Sequence, residues 1–464
     1  MSNTNTSINN KVKVNNNAKL NEGSLSLRTC IFIAIGGMVG SSIFTLSGVT
    51  YSLAGPASIL AWGVAGVILL LYALNVAELA TKFPRAGGIY VYPIETLGKT
   101  KTQRAFWGWI SAWSWLNVSV LGTAFASLFV ANYLSVIIPG AEKYVTAIAL
   151  IWIGIIWLLN VLGIKSLGKA SSIMIIFLMT ICLIFVGVGA PRVDMSNFSN
   201  FFGGGHMGVN GFMASIPMAM LAFGAVLAVA SMAEEIKEPK KNIPKAMGYS
   251  VLITVVLYSL MLFTVYGNVS WQEVSDAPLH QAVTLFAPTM TWLQTAISIG
   301  AILAITNNML IMIMDAGRTV MAMGRTGFLP EGFSKVSSKS KSPIVAVSVV
   351  CGIAAIITFF PQFINEIIGT GSITLGVMVA IIVVALLICR KYRKDVESTF
   401  VVPGGSVLPI ITLAVLIVTL TQISISSFKM AFLWYALGVI IFVLRYIFAK
   451  EKLNENIPDV KFTK

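Results

Sequence analysis

The stretch Gly36-Gly37-Met38-Val39-Gly40-Ser41-Ser42-Ile43-Phe44 lies in the middle of an apolar run from Leu27 to about Tyr51. That run is long enough to cross a bilayer, yet three glycines and two serines, all poor helix formers, sit at its centre. An unsatisfied backbone group costs most at that depth. Whether this segment is a closely packed helix or a broken one decides the architecture.

The rest of the chain sets the context. Of 464 residues, 56% are hydrophobic and 11% are charged, against about 25% charged in soluble domains. This is the composition of an integral membrane protein. At ~20 residues per crossing plus loops, about twelve helices fit. Barrel-type alternation is absent, so the expected fold class is all-α. The apolar segments place spans at 27–51, 55–81, 104–138, 143–163, 168–190, 209–235, 246–268, 289–317, 343–360, 364–389, 406–427 and 429–449.

The net charge of +14 suggests a nucleic-acid partner until its distribution is considered. With the N-terminus in the cytoplasm, every Lys and Arg except Lys143, Arg192 and Lys429 falls on the inner side. That positive-inside pattern accounts for the basic balance, so no nucleic-acid partner is expected. It implies a multi-pass protein of the plasma membrane, in contact with membrane lipid, with both termini cytoplasmic. Residues 1–24 are polar and rich in Asn, and read as a disordered cytoplasmic tail. Residues 451–464 read as a second tail, and 25–450 as one transmembrane domain. Cys30, Cys182, Cys351 and Cys389 show no ligand-like spacing, so neither a metal nor a disulfide framework is expected.

A second unusual span explains the first. The sixth contains Met220-Leu-Ala-Phe-Gly-Ala-Val-Leu-Ala-Val-Ala230, with Phe223, Gly224 and Ala225 near its centre. The two spans lie five apart, run in opposite directions and carry small residues at mid-depth. An inverted repeat, 27–190 and 209–389 with 406–449 as two extra helices, leaves that trace. On the packing reading, Gly36 with Gly40 and Gly37 with Ser41 form small-xxx-small pairs that let helices approach. On the broken-helix reading, freed N–H groups at the first span face a cavity and receive a carboxylate. Freed carbonyls near Leu221–Phe223 in the sixth receive an ammonium. Together they would hold a zwitterion. The pairing of the two spans favours the second reading.

Ionisable residues support it by their positions. None of the 18 acids lies near the centre of an expected span. Glu78, Glu234, Glu235 and Asp315 fall at inner ends. A site without a counter-charge suits a substrate with a neutral side chain. Asp315 and Arg318, at i and i+3, read as a surface helix pair or part of an inner gate. Trp107 and Trp109 read as an interfacial belt. No HExxH or GxSxG motif points to an enzyme, and no cofactor is expected.

Four segments carry a family likeness. They are Met38-Val-Gly-Ser-Ser-Ile-Phe44, Phe83-Pro-Arg-Ala-Gly-Gly-Ile-Tyr-Val-Tyr92, Ala233-Glu-Glu-Ile-Lys-Glu-Pro-Lys-Lys-Asn-Ile-Pro-Lys-Ala246 and Gly324-Arg-Thr-Gly-Phe-Leu-Pro330. Through them the chain resembles the amino acid–polyamine–organocation (APC) superfamily over nearly its whole length. The resemblance implies the five-plus-five inverted-repeat fold of the leucine transporter with two added helices. It also implies alternating access and an amino acid or amine as the small-molecule substrate. On that pattern the N–H groups at Gly40, Ser41 and Ser42 bind the carboxylate. Carbonyls at Ala222, Phe223 and Gly224 bind the amine, and Phe223 gates the site. Met38, Ala225 and Leu227 border the two breaks and complete the set there. Spacing along the third and eighth spans nominates Ala124, Ser127, Asn308 and Met312 for the side-chain pocket.

The chain also departs from the family pattern. Ser42 stands where Gly is usual, and Ala225 and Leu227 replace a common Gly and Glu. A Lys used by some relatives in place of sodium would fall at Leu178, so that coupling does not carry over. Thr306 alone offers a hydroxyl for sodium. The expected function is a permease or exchanger for neutral amino acids. An amine, polyamine or amino-acid/amine exchanger is the alternative, and a non-transporting sensor is a third reading.

Overall fold

The computed structural model describes residues 20–275, 277–457 and 459–460. The expectation of a tail therefore falls, for 1–19, 458 and 461–464, outside the described residues. Among the described residues the chain is helical, with one isolated bridge between Leu25 and Ile236. In order, the helices are α1 (Leu27–Met38), α2 (Ser41–Ala54), α3 (Ser58–Lys82), α4 (Gly88–Thr96), α5 (Lys101–Ile137), α6 (Val145–Val161), α7 (Ile164–Gly189) and α8 (Gly208–Leu221). They continue with α9 (Ala228–Ser231), α10 (Pro239–Asn268), α11 (Pro278–Phe286), α12 (Thr291–Arg325), α13 (Ile344–Ile357), α14 (Ile364–Tyr392), α15 (Val407–Leu420) and α16 (Ile425–Asn456).

Among the described residues nine helical stretches are long and apolar enough to cross a membrane, and α1, α13 and α15 are shorter apolar helices. Each expected span returns as helix. The boundaries move where local chemistry extends a helix. The helix α10 begins at Pro239, not at 246, because proline at the first helical position needs no N–H partner. The N–H that Pro244 lacks would have bonded to Lys240, whose carbonyl instead accepts from Thr399 Oγ1 at 3.1 Å. The helix α12 runs to Arg325, eight residues past the expected end. It stops where Gly327 takes a positive φ of 80° and its N–H bonds to the Gly324 carbonyl at 3.0 Å. This extension buries Asp315 about 15 Å, ten residues at 1.5 Å each, inside the helix end. The segments expected as inner and outer loops also carry the short helices α4 and α11.

The elements α3, α5, α10, α12 and α14 form the packed interior around α1, α2 and α8. Trp109 and Trp113 of α5 join it to α16. Trp109 stacks on Trp113 at 5.0 Å and Trp113 on Trp434 at 4.4 Å. Trp109 Nε1 donates to the Gly438 carbonyl at 2.8 Å. Trp107 alone of that group is exposed, and Trp115 is fully buried.

Ion pairs tie the Lys- and Arg-rich face together. Glu78 pairs with Arg390, Glu95 with Arg85 and Arg393, Glu234 with Arg325, and Glu235 with Arg318. Three of the sequence motifs meet at Glu234. Its carboxylate accepts from the Ala86 N–H at 3.0 Å and from Arg325 Nη1 at 2.9 Å. Residues preceding α1 belong to this face. Leu25 exchanges backbone bonds with Glu235 and Lys237, both at 2.9 Å, and Leu20 is buried with Ala86, Met321 and Val336.

Candidate substrate site

The first span is broken. The helix α1 ends at Met38, Val39 takes φ −76°, ψ 63°, and the Gly40 N–H donates back to the Met38 carbonyl at 2.7 Å. This is an inverse γ-turn. It frees carbonyls at the end of α1, and side chains take them. Asn308 Nδ2 on α12 donates to the Gly37 carbonyl, and the Tyr258 hydroxyl on α10 donates to the Met38 carbonyl. The helix α2 then begins with Gly40 as its N-cap, which has no side chain to cap the first turn. The opening N–H groups of α2, at Ser41, Ser42 and Ile43, have no helical partner by geometry, and the positive end of the α2 dipole lies there.

The glycines are close contacts as well. A Cβ on Gly36 would stand 2.1 Å from Asn307 Nδ2, one on Gly37 2.8 Å from the Ala225 Cβ, and one on Gly40 2.3 Å from the Asn308 Cβ. Close packing and breakage are therefore both true of this segment: the small residues seat α1 against α12 and the sixth span, and the chain turns between them.

The sixth span is interrupted more gently. The helix α8 ends at Leu221, a 3₁₀ turn covers Gly224–Leu227, and α9 follows. The residues flanking this turn keep right-handed helical angles. The N–H groups of Ala222, Phe223 and Val226 bond three residues back, to Ala219, Met220 and Phe223. Among the described residues these bonds pass over the carbonyls of Leu221 and Ala222. A Cβ on Gly224 would meet nothing within 4 Å.

A cavity of about 60 Å³ opens at the first turn of α2. Ser42 and Leu46 border it from α2, Leu121, Gly122 and Phe125 from α5, and Leu221 from α8. Asn308 and Met312 border it from α12, and Ile367, Ile368 and Gly371 from α14. No charged side chain is among these lining residues. Leu121, Phe125 and Met312 are the bulkiest apolar side chains around it.

The nominated residues divide into groups. Ser42, Asn308 and Met312 line the cavity. Gly40 and Ser41 form the turn that opens α2, and Met38 supplies the carbonyl bound by Tyr258. Ala222 and Gly224 lie at the 3₁₀ turn. Ala225 packs on Gly37, and Leu227 is fully buried. The Phe223 ring is fully buried away from the cavity, 5.3 Å from the Tyr258 ring and against Gly66 of α3. Ala124 and Ser127 face a neighbouring side of α5, where Ser127 Oγ donates to the Ala124 carbonyl at 2.7 Å. The cavity side of α5 is Val118, Leu121, Gly122 and Phe125, a helical stripe of four that sequence reasoning missed. The run Gly369-Thr-Gly-Ser372 in α14 was a second usable signal. Thr306 accepts from Trp152 Nε1 at 2.7 Å and donates to the Ile302 carbonyl at 2.6 Å. Asp315 is no surface residue: it is fully buried, and Arg318 bonds to Glu235.

Residues 25–449 match the family described as amino acid permease. The branched-chain amino acid permease BcaP of Bacillus subtilis (strain 168) is 29% identical over 91% of this chain and 92% of its own. The methylthioribose transporter of the same organism is 26% identical over 91% and 93%. The cationic amino acid transporter 1 of Arabidopsis thaliana is 27% identical over 80% of this chain and 63% of its own.

Proposed function

The chain belongs to the amino acid permease family, a branch of the APC superfamily of membrane transporters, and from that premise we propose that it carries amino acids with neutral, apolar side chains by alternating access. One observation carries the reading: an uncapped helix N-terminus opens at mid-span onto a cavity whose lining residues include no charge. A substrate carboxylate satisfies the open N–H groups at Ser41, Ser42 and Ile43 through charge-assisted bonds worth ~1.5–3 kcal/mol each. The ammonium goes to the Leu221 and Ala222 carbonyls, and the side chain lies among Leu121, Phe125, Met312 and Ile368. The apolar lining agrees with the branched-chain amino acids for which the Bacillus subtilis relative is named. The amine and polyamine alternative lacks an acidic partner for a second ammonium among the lining residues.

Alternating access gives the two faces different tasks. The basic face is closed by the Glu235–Arg318 and Glu234–Arg325 pairs. The walls of the cavity are largely apolar, Ile367 and Ile368 among them. The inverted repeat of 27–190 and 209–389, with 406–449 added, supplies the rocking units. The positive-inside rule puts the basic face in the cytoplasm of a plasma membrane, with both termini on that side.

The test is uptake of labelled leucine into liposomes holding the purified protein, with the twenty amino acids and their amines as competitors. Neutral apolar amino acids should compete, and their amines should not. Competition by amines or polyamines without competition by amino acids would favour the alternative and end this reading. Binding of amino acids without uptake would favour a sensor.

A further inference from the structure

Asp315 of α12 is fully buried, and Arg318, one turn along the same helix, does not pair with it. Arg318 Nε and Nη2 bond to Glu235 at 2.7 and 3.0 Å, and Nη1 donates to the Met314 carbonyl at 3.1 Å. One guanidinium thus stands between two buried carboxyl groups and is committed to one of them.

The surroundings of Asp315 are polar. Ser231 at the end of α9 and Trp115 of α5 face it, and Tyr92 of α4 lies beyond, backed by Tyr72 of α3. Thr319 is one turn along α12. By strict hydrogen-bond geometry both Asp315 carboxyl oxygens, Thr319 Oγ1 and the two tyrosine hydroxyls have no partner among the described residues, and Ser231 Oγ and Trp115 Nε1 approach Asp315 only as weak, poorly aligned donors. These groups come from five helices and converge deep in the protein. An ionised carboxylate buried there with no cation committed to it, and only the weak donors Ser231 and Trp115 beside it, costs several kcal/mol, and a neutral acid costs far less. The other charged groups nearby face elsewhere. Glu235 reaches this region through Arg318, Cys30 of α1 faces Glu235, and Lys341, before α13, shares a small cavity with Arg318. The helix α13 presents Val347 to α12 at Gly317.

The Glu235–Arg318 pair bridges the segment after the sixth span to α12, so opening the basic face must separate it. Arg318 is then free, and Asp315 lies three residues away on the same helix, within reach of an i, i+3 pair. We infer that Asp315 is a proton-binding site set by the Glu235–Arg318 pair: it holds a proton while the basic face is closed and releases it when Arg318 changes partner. This rests on the transport reading above in one respect only, that the face opens. Each cycle would then couple a proton to the substrate.

Infrared difference spectroscopy of purified protein in lipid nanodiscs tests the site without transport. The wild type should show a protonated carboxylic acid band at neutral pH that is lost in Asp315→Asn. The band should also be lost in Glu235→Gln, where Arg318 turns to Asp315. A band unchanged by Asp315→Asn, or one that survives in Glu235→Gln, overturns the proposal. The Glu235→Gln comparison stands even if Asp315→Asn does not fold. In liposomes with an imposed pH gradient, the wild type should concentrate substrate. Asp315→Asn should retain counterflow exchange and lose concentration. Concentration retained by Asp315→Asn, or absent in an exchanging wild type, overturns the coupling. A wild type that moves no amino acid refutes the transport reading and leaves the infrared result to decide the proton site.

Discussion

The first and sixth spans are interrupted where they pack together, at Gly37 and Ala225, but to different degrees. In the first, Val39 and Gly40 leave the helix and side chains from α10 and α12 take the freed carbonyls. In the sixth, the chain stays helical in its angles and only tightens to a 3₁₀ turn. The local sequence explains the difference. Gly36, Gly37 and Gly40, followed by two serines, make helix expensive and close approach cheap. Gly224 stands alone among Ala, Val and Leu, which favour helix or tolerate it. The first span therefore offers a true helix N-terminus, whereas the sixth offers only two carbonyls. The carboxylate end of the proposed site is the better constructed of the two.

The largest expected effect comes from Gly40→Leu. A Cβ there meets the Asn308 Cβ at 2.3 Å and the Ala304 carbonyl oxygen at 3.2 Å, so the variant should lose folded protein, seen in thermal melting and gel filtration. If it folded normally and lost only substrate binding, close packing at the first break would be refuted. Phe223→Ala removes a fully buried ring beside Gly66 and Tyr258 and should cost ~3–5 kcal/mol of stability. Its substrate affinity should change less than its melting temperature. A gate over the site would reverse that order.

Tyr258→Phe leaves the Met38 carbonyl with only the Gly40 N–H and should cost ~1–3 kcal/mol. The same loss at the sixth span has no counterpart, because no side chain serves its carbonyls among the described bonds. Gly224→Ala is the smallest in stability. Its Cβ meets open space, so it should be neutral or add about 0.4–1 kcal/mol while weakening substrate binding. Unchanged binding would show that the space at Gly224 is not used by substrate.

Much of this was legible in the sequence. The spans followed from apolar length, and the two interruptions from small residues at mid-depth. The motifs after the second, sixth and eighth spans meet at Glu234, through the Ala86 N–H and the Arg325 ion pair. Side-chain direction was not legible. The helix α5 is buried over most of its surface, so no polar face fixes its rotation. Ala124 and Ser127 were nominated in place of Leu121, Gly122 and Phe125 for that reason. The family resemblance implies that Phe223 gates the site, yet its ring turns to α3 and α10. With the eighth span expected to end at 317, Asp315 reads as a surface pair or part of an inner gate, and the true stop signal at Gly327 buries it instead.

The central claim is that the open first turn of α2 holds a carboxylate. Equilibrium binding of leucine and of its decarboxylated amine, 3-methylbutylamine, to the purified protein tests it most directly. Loss of these three charge-assisted bonds should make the amine roughly 1,000-fold weaker or more. Equal affinity for the two would contradict it.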